Sequence, residues 1–403
     1  MITRGEQMLA LRKRRMAEAP PFLRGGFRPF FFGAALWGLL ALSLWLCSLA
    51  GVLHLPTALD PIKWHRHEML FGYVGAAVAG FLLTAIPNWT GRLPIAGKPL
   101  LALFAMWLCA RAAVLTSAIV GLPLAAALDV GFFALLTGVG AREVFAAKNR
   151  NFAIVAMLLF LTLADAADYA GIDGLIPDVG WQAAIAVIIT LISIIGGRII
   201  PSFTRNWMSK QGERTHLPRQ PAALDLLVIV ATAVCLLFWI AFPRNTLTGG
   251  MLILAAALQL VRLCRWGGAR TLSDPLVLIL HIGYLWIPIG LLLLGLSISG
   301  LPVPTSAGVH ALTAGAMTTM ILAVMTRATL GHTGRPLNAN AGTAVLYTCV
   351  TLGALIRVAA SLGLRPYMAL LEISGAAWGT SLALFLIIYA PMLWYPRVEQ
   401  EGL

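Results

Sequence analysis

The residues best equipped for chemistry in this sequence are seven histidines: His54, His65, His67, His216, His281, His310 and His332. A neutral imidazole is a common ligand for haem iron and for copper, and one that titrates can relay protons. His65, His67, His281, His310 and His332 lie in or at the ends of long apolar runs. An ionisable group at membrane depth is costly, which makes it a functional candidate by default. In Trp64-His65-Arg66-His67-Glu68-Met69, two histidines, a base and an acid crowd the entrance of one run. His310 sits at a similar depth in another run, beside the small residues Gly308, Ala311, Ala314 and Gly315. Two imidazoles on different helices at one depth would clamp a haem b edge-on and fill both axial positions. His67 and His310 meet that condition. The alternative is that each histidine bonds a carbonyl of a neighbouring helix.

His65 and His67 are two residues apart, and positions i and i+2 of a helix do not face each other. On a regular helix the two cannot share one metal, so one would ligate haem while the other binds copper, carries protons or meets a propionate. Arg111 and Arg357 lie inside apolar runs. A guanidinium pairs bidentately with carboxylates, so both are candidates for haem propionates. Snorkelling, or pairing with a protein acid such as Asp129 or Glu372, is the equal alternative. Glu68, Asp129, Asp165, Asp168 and Glu372 offer a proton route, although acids near helix ends more often face water. Met317, Met320 and Met325 read as packing. The cysteines Cys47, Cys109, Cys235, Cys264 and Cys349 form no CxxC or CxxCH pattern, which excludes a zinc or redox pair and covalent haem attachment. His54 and His216 fall in loops and read as solvated.

The elements that must position these groups are membrane spans. The chain has 403 residues, 59% of them hydrophobic and only 11% charged, with a mean hydropathy of +0.86. Soluble domains carry about 25% charged residues, and about 20 apolar residues cross a bilayer. A soluble enzyme, a disulfide-stapled module and a disordered chain are thereby excluded. The apolar runs predict an all-α polytopic membrane protein with about twelve transmembrane helices, at 29–53, 66–88, 100–119, 122–145, 152–171, 179–203, 222–243, 247–266, 275–299, 305–328, 341–363 and 368–394. They form a single transmembrane domain, 29–396, between a basic tail (1–28) and a short C-terminal tail (397–403). The first run is too long for a signal-peptide core and is expected to be retained. The net charge of +13 follows the membrane rather than nucleic acid: 23 of the 29 Lys and Arg residues fall on one side of this topology. Both termini are therefore expected in the cytoplasm of a bacterial inner membrane.

An internal repeat relates two spans. From His67 to Arg92 in Thr90-Gly91-Arg92 is 25 residues, as it is from His310 to Arg335 in Thr333-Gly334-Arg335. Span 6 ends in Gly196-Gly197-Arg198 without a histidine. Three four-helix pseudo-repeats would make spans 2, 6 and 10 equivalent, and repeats often place a site between the repeated elements.

Several segments resemble successive signatures of the NnrS family: Gly26-Phe27-Arg28-Pro29-Phe30-Phe31, Trp64 to Gly72, Asn88-Trp89-Thr90-Gly91-Arg92, His281 to Trp286, His310 to Gly315 and Met325 to Arg335. The resemblance covers nearly the whole chain, and the span 10 block is its most specific part. It implies a haem- and copper-containing inner-membrane protein of nitric oxide metabolism and the nitrosative stress response. That role is to bind, detoxify or reduce NO, as a nitric oxide reductase-like oxidoreductase would, with electrons from a quinol or another carrier. The arrangement is also similar to the haem-copper oxidase core, in which helices 2 and 10 hold a bis-histidine haem. The copper histidines found on the middle helices of those enzymes have no counterpart in spans 6 and 7, which leaves His65, His281 and His332 as copper candidates. The competing expectation is a proton-coupled transporter that uses intramembrane histidines and acids. Membrane lipid is an expected partner in either case.

Overall fold

The computed structural model describes residues 3–215, 217–218 and 222–398; His216 lies outside the described residues. All regular structure among them is helical, and twelve helices are long and apolar enough to cross a membrane. In hydrocarbon a backbone has to satisfy its own polar groups, which helices do. The spans are Phe27–Leu49, Pro61–Thr90, Lys98–Leu115, Leu122–Ala146, Phe152–Ile172, Gly180–Lys210, Ala223–Ala241, Thr246–Cys264, Pro275–Ile298, Thr305–His332, Ala341–Ser361 and Tyr367–Trp394. They match the predicted runs one for one. Span 2 starts earlier than its apolar run because Asp60 caps it, accepting from the backbone N–H of Ile62 and Lys63, with Pro61 in the first turn. Span 6 runs past its apolar stretch to Lys210 and carries Pro201 within it.

The basic tail is not featureless. Arg4–Glu18 forms a helix, started by a reciprocal capping box between Thr3 and Glu6.

Spans 2 and 10 share a local departure from α geometry. Directly after His67 the helix widens to a π-helix over Glu68–Val74, and directly after His310 it does so over Ala311–Met317. Both segments are seven residues long. Each helix is followed by a glycine in the left-handed region, Gly91 (φ 66°) and Gly334 (φ 78°), where a side chain would be strained. Span 6 is α-helical throughout. The likeness of spans 2 and 10 thus extends to backbone shape, and span 6 does not share it.

The chain divides into two compact units. One comprises spans 1–5 and the chain as far as Ala184, with Met325–Pro336 and the C-terminal part from Phe385. The other comprises Ile185–Val324 and Leu337–Leu384. Within the first unit, Arg28 is 3% exposed and donates to the carbonyls of Leu393 and Tyr395 (both 2.7 Å). A guanidinium here satisfies backbone acceptors that the end of a helix leaves open. Val398 N–H closes onto the Thr333 carbonyl at 3.0 Å. Within the second unit, spans 8 and 9 cross at Gly249 and Gly295, where a methyl on Gly295 would come 2.8 Å from the Gly249 carbonyl oxygen. Such close approach of small residues is how helices pack in lipid. Large apolar side chains remain outward, among them Leu226, Leu237, Leu254 and Ile387, as contact with lipid requires.

Candidate functional site

The first unit contains a buried polar centre built from spans 1 to 5. Asp60 and Pro61 fix the start of span 2, so Arg66, His67 and Glu68 are already helical when they enter the bundle. His67 is fully buried and both ring nitrogens meet carboxylates: Nδ1 lies 2.9 Å from Asp168 Oδ2, and Nε2 lies 2.8 Å from Asp129 Oδ2. The Tyr169 hydroxyl stands 3.2 Å from the same Nε2 and donates to Asp129 at 3.3 Å. Asp165, Asp168 and Tyr169 are three and four residues apart, which puts them on one face of span 5.

Two arginines hold the acids in place. Arg111 Nη1 donates to Glu68 Oε2 at 2.8 Å, and its Nη2 donates to Asp129. Arg66 donates to Asp168 at 3.1 Å and grips Asp178 with both terminal nitrogens. Trp37 of span 1 donates its indole N–H to Glu68. Gly72, one turn on, keeps this corner open: a methyl there would lie 2.5 Å from Glu68 Oε2 and 2.7 Å from Trp37 Nε1. Glu68 and Gly72 both lie on the π-helical turn Glu68–Val74. Such turns cluster at functional sites.

One group in this centre is not satisfied. Asp165 is fully buried, and neither carboxylate oxygen has a hydrogen-bond partner among the described residues. Glu68 Oε1 and Arg111 Nε are likewise buried without a hydrogen-bond partner among the described residues. Unpaired buried polar atoms are costly and few in native proteins. Ligand atoms of His67, Asp129 and Asp165 all lie within 4.8 Å of one another, which is close enough to hold a metal ion.

The remaining predicted residues have other surroundings. His65 is half-buried and its ring stacks on Trp45, with centroids 3.9 Å apart; it and His67 diverge, as a helix requires. His332, the last residue of span 10, is exposed and lies 5.3 Å from the Phe27 ring. His54 is exposed in a loop. In the second unit, His310 donates from Nδ1 to the Ser306 carbonyl at 2.7 Å, and its Nε2 makes no hydrogen bond with any described residue. Arg357 donates to the Ser361 hydroxyl at 2.9 Å and forms no ion pair among the described residues. His281 Nε2 meets Thr204 Oγ1 at 2.8 Å, and its buried Nδ1 has no hydrogen-bond partner among the described residues. Met317, Met320 and Met325 are buried packing residues, and Glu372 is exposed.

Two readings left open by the sequence are thereby narrowed. Arg111 pairs with protein acids, Glu68 and Asp129, while Arg357 does not. Glu68, Asp129, Asp165 and Asp168 do not face water near helix ends but converge on His67. The sequence held one signal for this, the Asp165-Asp168-Tyr169 spacing inside an apolar run.

Fold and site together define a polytopic membrane protein with a buried histidine–carboxylate centre. The family model described as NnrS protein matches residues 21–397, nearly the whole chain. The chain belongs to the NnrS family, which is linked to the nitric oxide response. No curated protein matches it significantly.

Proposed function

We propose that this protein is a haem-containing inner-membrane protein of the nitric oxide response, in which haem held through His310 binds NO for detoxification or reduction. The observation that supports this reading is the state of the His310 ring. Its Nδ1–H is spent on the Ser306 carbonyl, which fixes the tautomer and leaves the Nε2 lone pair uncommitted. A backbone carbonyl on one ring nitrogen is the usual orienting partner of a metal-ligating histidine. Arg357, an arginine without a carboxylate, fits a haem propionate in the same unit. A haem with one protein ligand keeps an axial position for NO, whereas a bis-histidine haem suits electron transfer. His67, the expected second ligand, has both nitrogens on carboxylates 2.8–2.9 Å away, so the single-histidine form is the one adopted here. Ser306 and Arg357 then orient the ligand and the charged edge. Copper, if present in addition, has His281 as its candidate in this unit, since the buried Nδ1 there has no partner. His65 and His332 remain the other candidates.

Replacing His310 with Ala is expected to abolish or strongly diminish the Soret band of the purified protein, while His67→Ala retains it. A His310→Ala protein with the wild-type spectrum overturns the assignment. The second reading is a proton-coupled transporter, favoured by the buried acids around His67. A purified wild-type protein with no Soret band supports it.

A further inference from the structure

We propose that His67 Nε2, Asp129 and Asp165 form a binding site for one first-row divalent cation, oriented from behind by Asp168. The argument starts with charge. Four fully buried carboxylates (Glu68, Asp129, Asp165, Asp168) face two guanidiniums, Arg66 and Arg111, and Arg66 is shared with Asp178. With a neutral imidazole this leaves at least two negative charges among the buried groups, in a setting where unpaired charge is costly. A divalent cation balances them.

Geometry selects the ligands. Asp168 accepts from His67 Nδ1, which leaves Nε2 as the metal-facing atom. Carboxylate–histidine pairs of this kind orient metal-bound imidazoles. Nε2 is turned to Asp129, and ligand atoms of His67, Asp129 and Asp165 all lie within 4.8 Å of one another. Bonds from nitrogen and oxygen to a cation of this class are about 2.0–2.2 Å, so the three atoms need to close in slightly. Asp165 makes no hydrogen bond with any described residue, and turning it inward breaks none among them. Its two unpartnered oxygens are the atoms such an ion would satisfy. One imidazole and two carboxylates suit Mn2+, Fe2+ or Zn2+ and contain no soft ligand. The site is in a different unit from His310 and does not depend on the haem assignment.

The test uses the full chain in detergent or nanodiscs, stripped with chelator and titrated with MnCl2, with bound metal measured by mass spectrometry and free Mn2+ by its electron paramagnetic resonance signal. The wild type is expected to bind about one Mn2+ per chain, displaceable by Zn2+. Asp165→Asn, which breaks no hydrogen bond of the centre, is expected to weaken binding at least tenfold. Asp168→Asn keeps all three ligands and is expected to weaken it roughly 10- to 100-fold, as changes to orienting partners do. Both are expected to keep the wild-type Soret intensity, which separates this site from the haem. Failure of the wild type to bind Mn2+ or Zn2+, or equal binding by the wild type and both variants, overturns the proposal. In that case protons on Asp165 and His67 would neutralise the centre.

Discussion

At the scale of single residues, Arg111 and Asp165 are opposites within one cluster. Arg111 is 1% exposed and serves two acids on two other spans. Removing one member of a buried ion pair leaves the partner charged and unpaired, which costs about 3–5 kcal/mol. Arg111→Met is therefore expected to lower the midpoint of thermal unfolding in detergent sharply, by a loss in that range. Asp165 has no hydrogen bond to lose. In chelator, Asp165→Asn should leave that midpoint close to the wild-type value, or raise it. Equal destabilisation by the two variants would show that Asp165 has a partner on which the fold depends. Arg111 and Arg357 occupy matching places in spans 3 and 11 and look alike in sequence. What separates them is company: Glu68 and Asp129 stand beside the first, and a serine beside the second.

At the scale of elements, the twelve spans were legible because apolar length is a strong and local signal. Their exact ends were less so, since a capping aspartate extends span 2 and a polar final stretch continues span 6. The π-helical turns after His67 and His310 have no composition that announces them; only the parallel spacing to Gly91 and Gly334 hinted that the two helices share a design. His67, Arg111 and the acids were each legible as candidates, but the convergence of the acids on His67 was not. Asp129 and Asp168 lie 62 and 101 residues from His67 in sequence, and such pairings follow from helix packing, which a single sequence does not reveal. The widened turn of span 2 makes its own prediction. A methyl at Gly72 would press on Glu68 and Trp37, and overpacking of this kind costs about 1–3 kcal/mol. Gly72→Ala should lower the unfolding midpoint, and Trp37→Phe introduced alongside it should recover part of the loss by relieving the clash. No recovery would place the strain elsewhere.

At the scale of the whole molecule, we propose that both chain ends lie in the cytoplasm, a reading supported by the even number of candidate spans among the described residues and by the distribution of Lys and Arg. Reporter fusions active only in the cytoplasm are expected to work at either terminus, and at the loop between spans 2 and 3. They should fail at the loop between spans 1 and 2, around His54. A working fusion at His54 would reverse the assignment.

Arg28 links the opening of the first span to the closing turn of the last. During synthesis the acceptors for this guanidinium are made some 365 residues after the arginine itself. Until then a permanent cation lacks the backbone acceptors that it has in the folded chain. A chain cut short of Phe385 never supplies them. Such fragments, and an Arg28→Ala variant of the chain, should be cleared faster in pulse-chase experiments than the wild-type chain; equal lifetimes would show that the contact contributes little to stability.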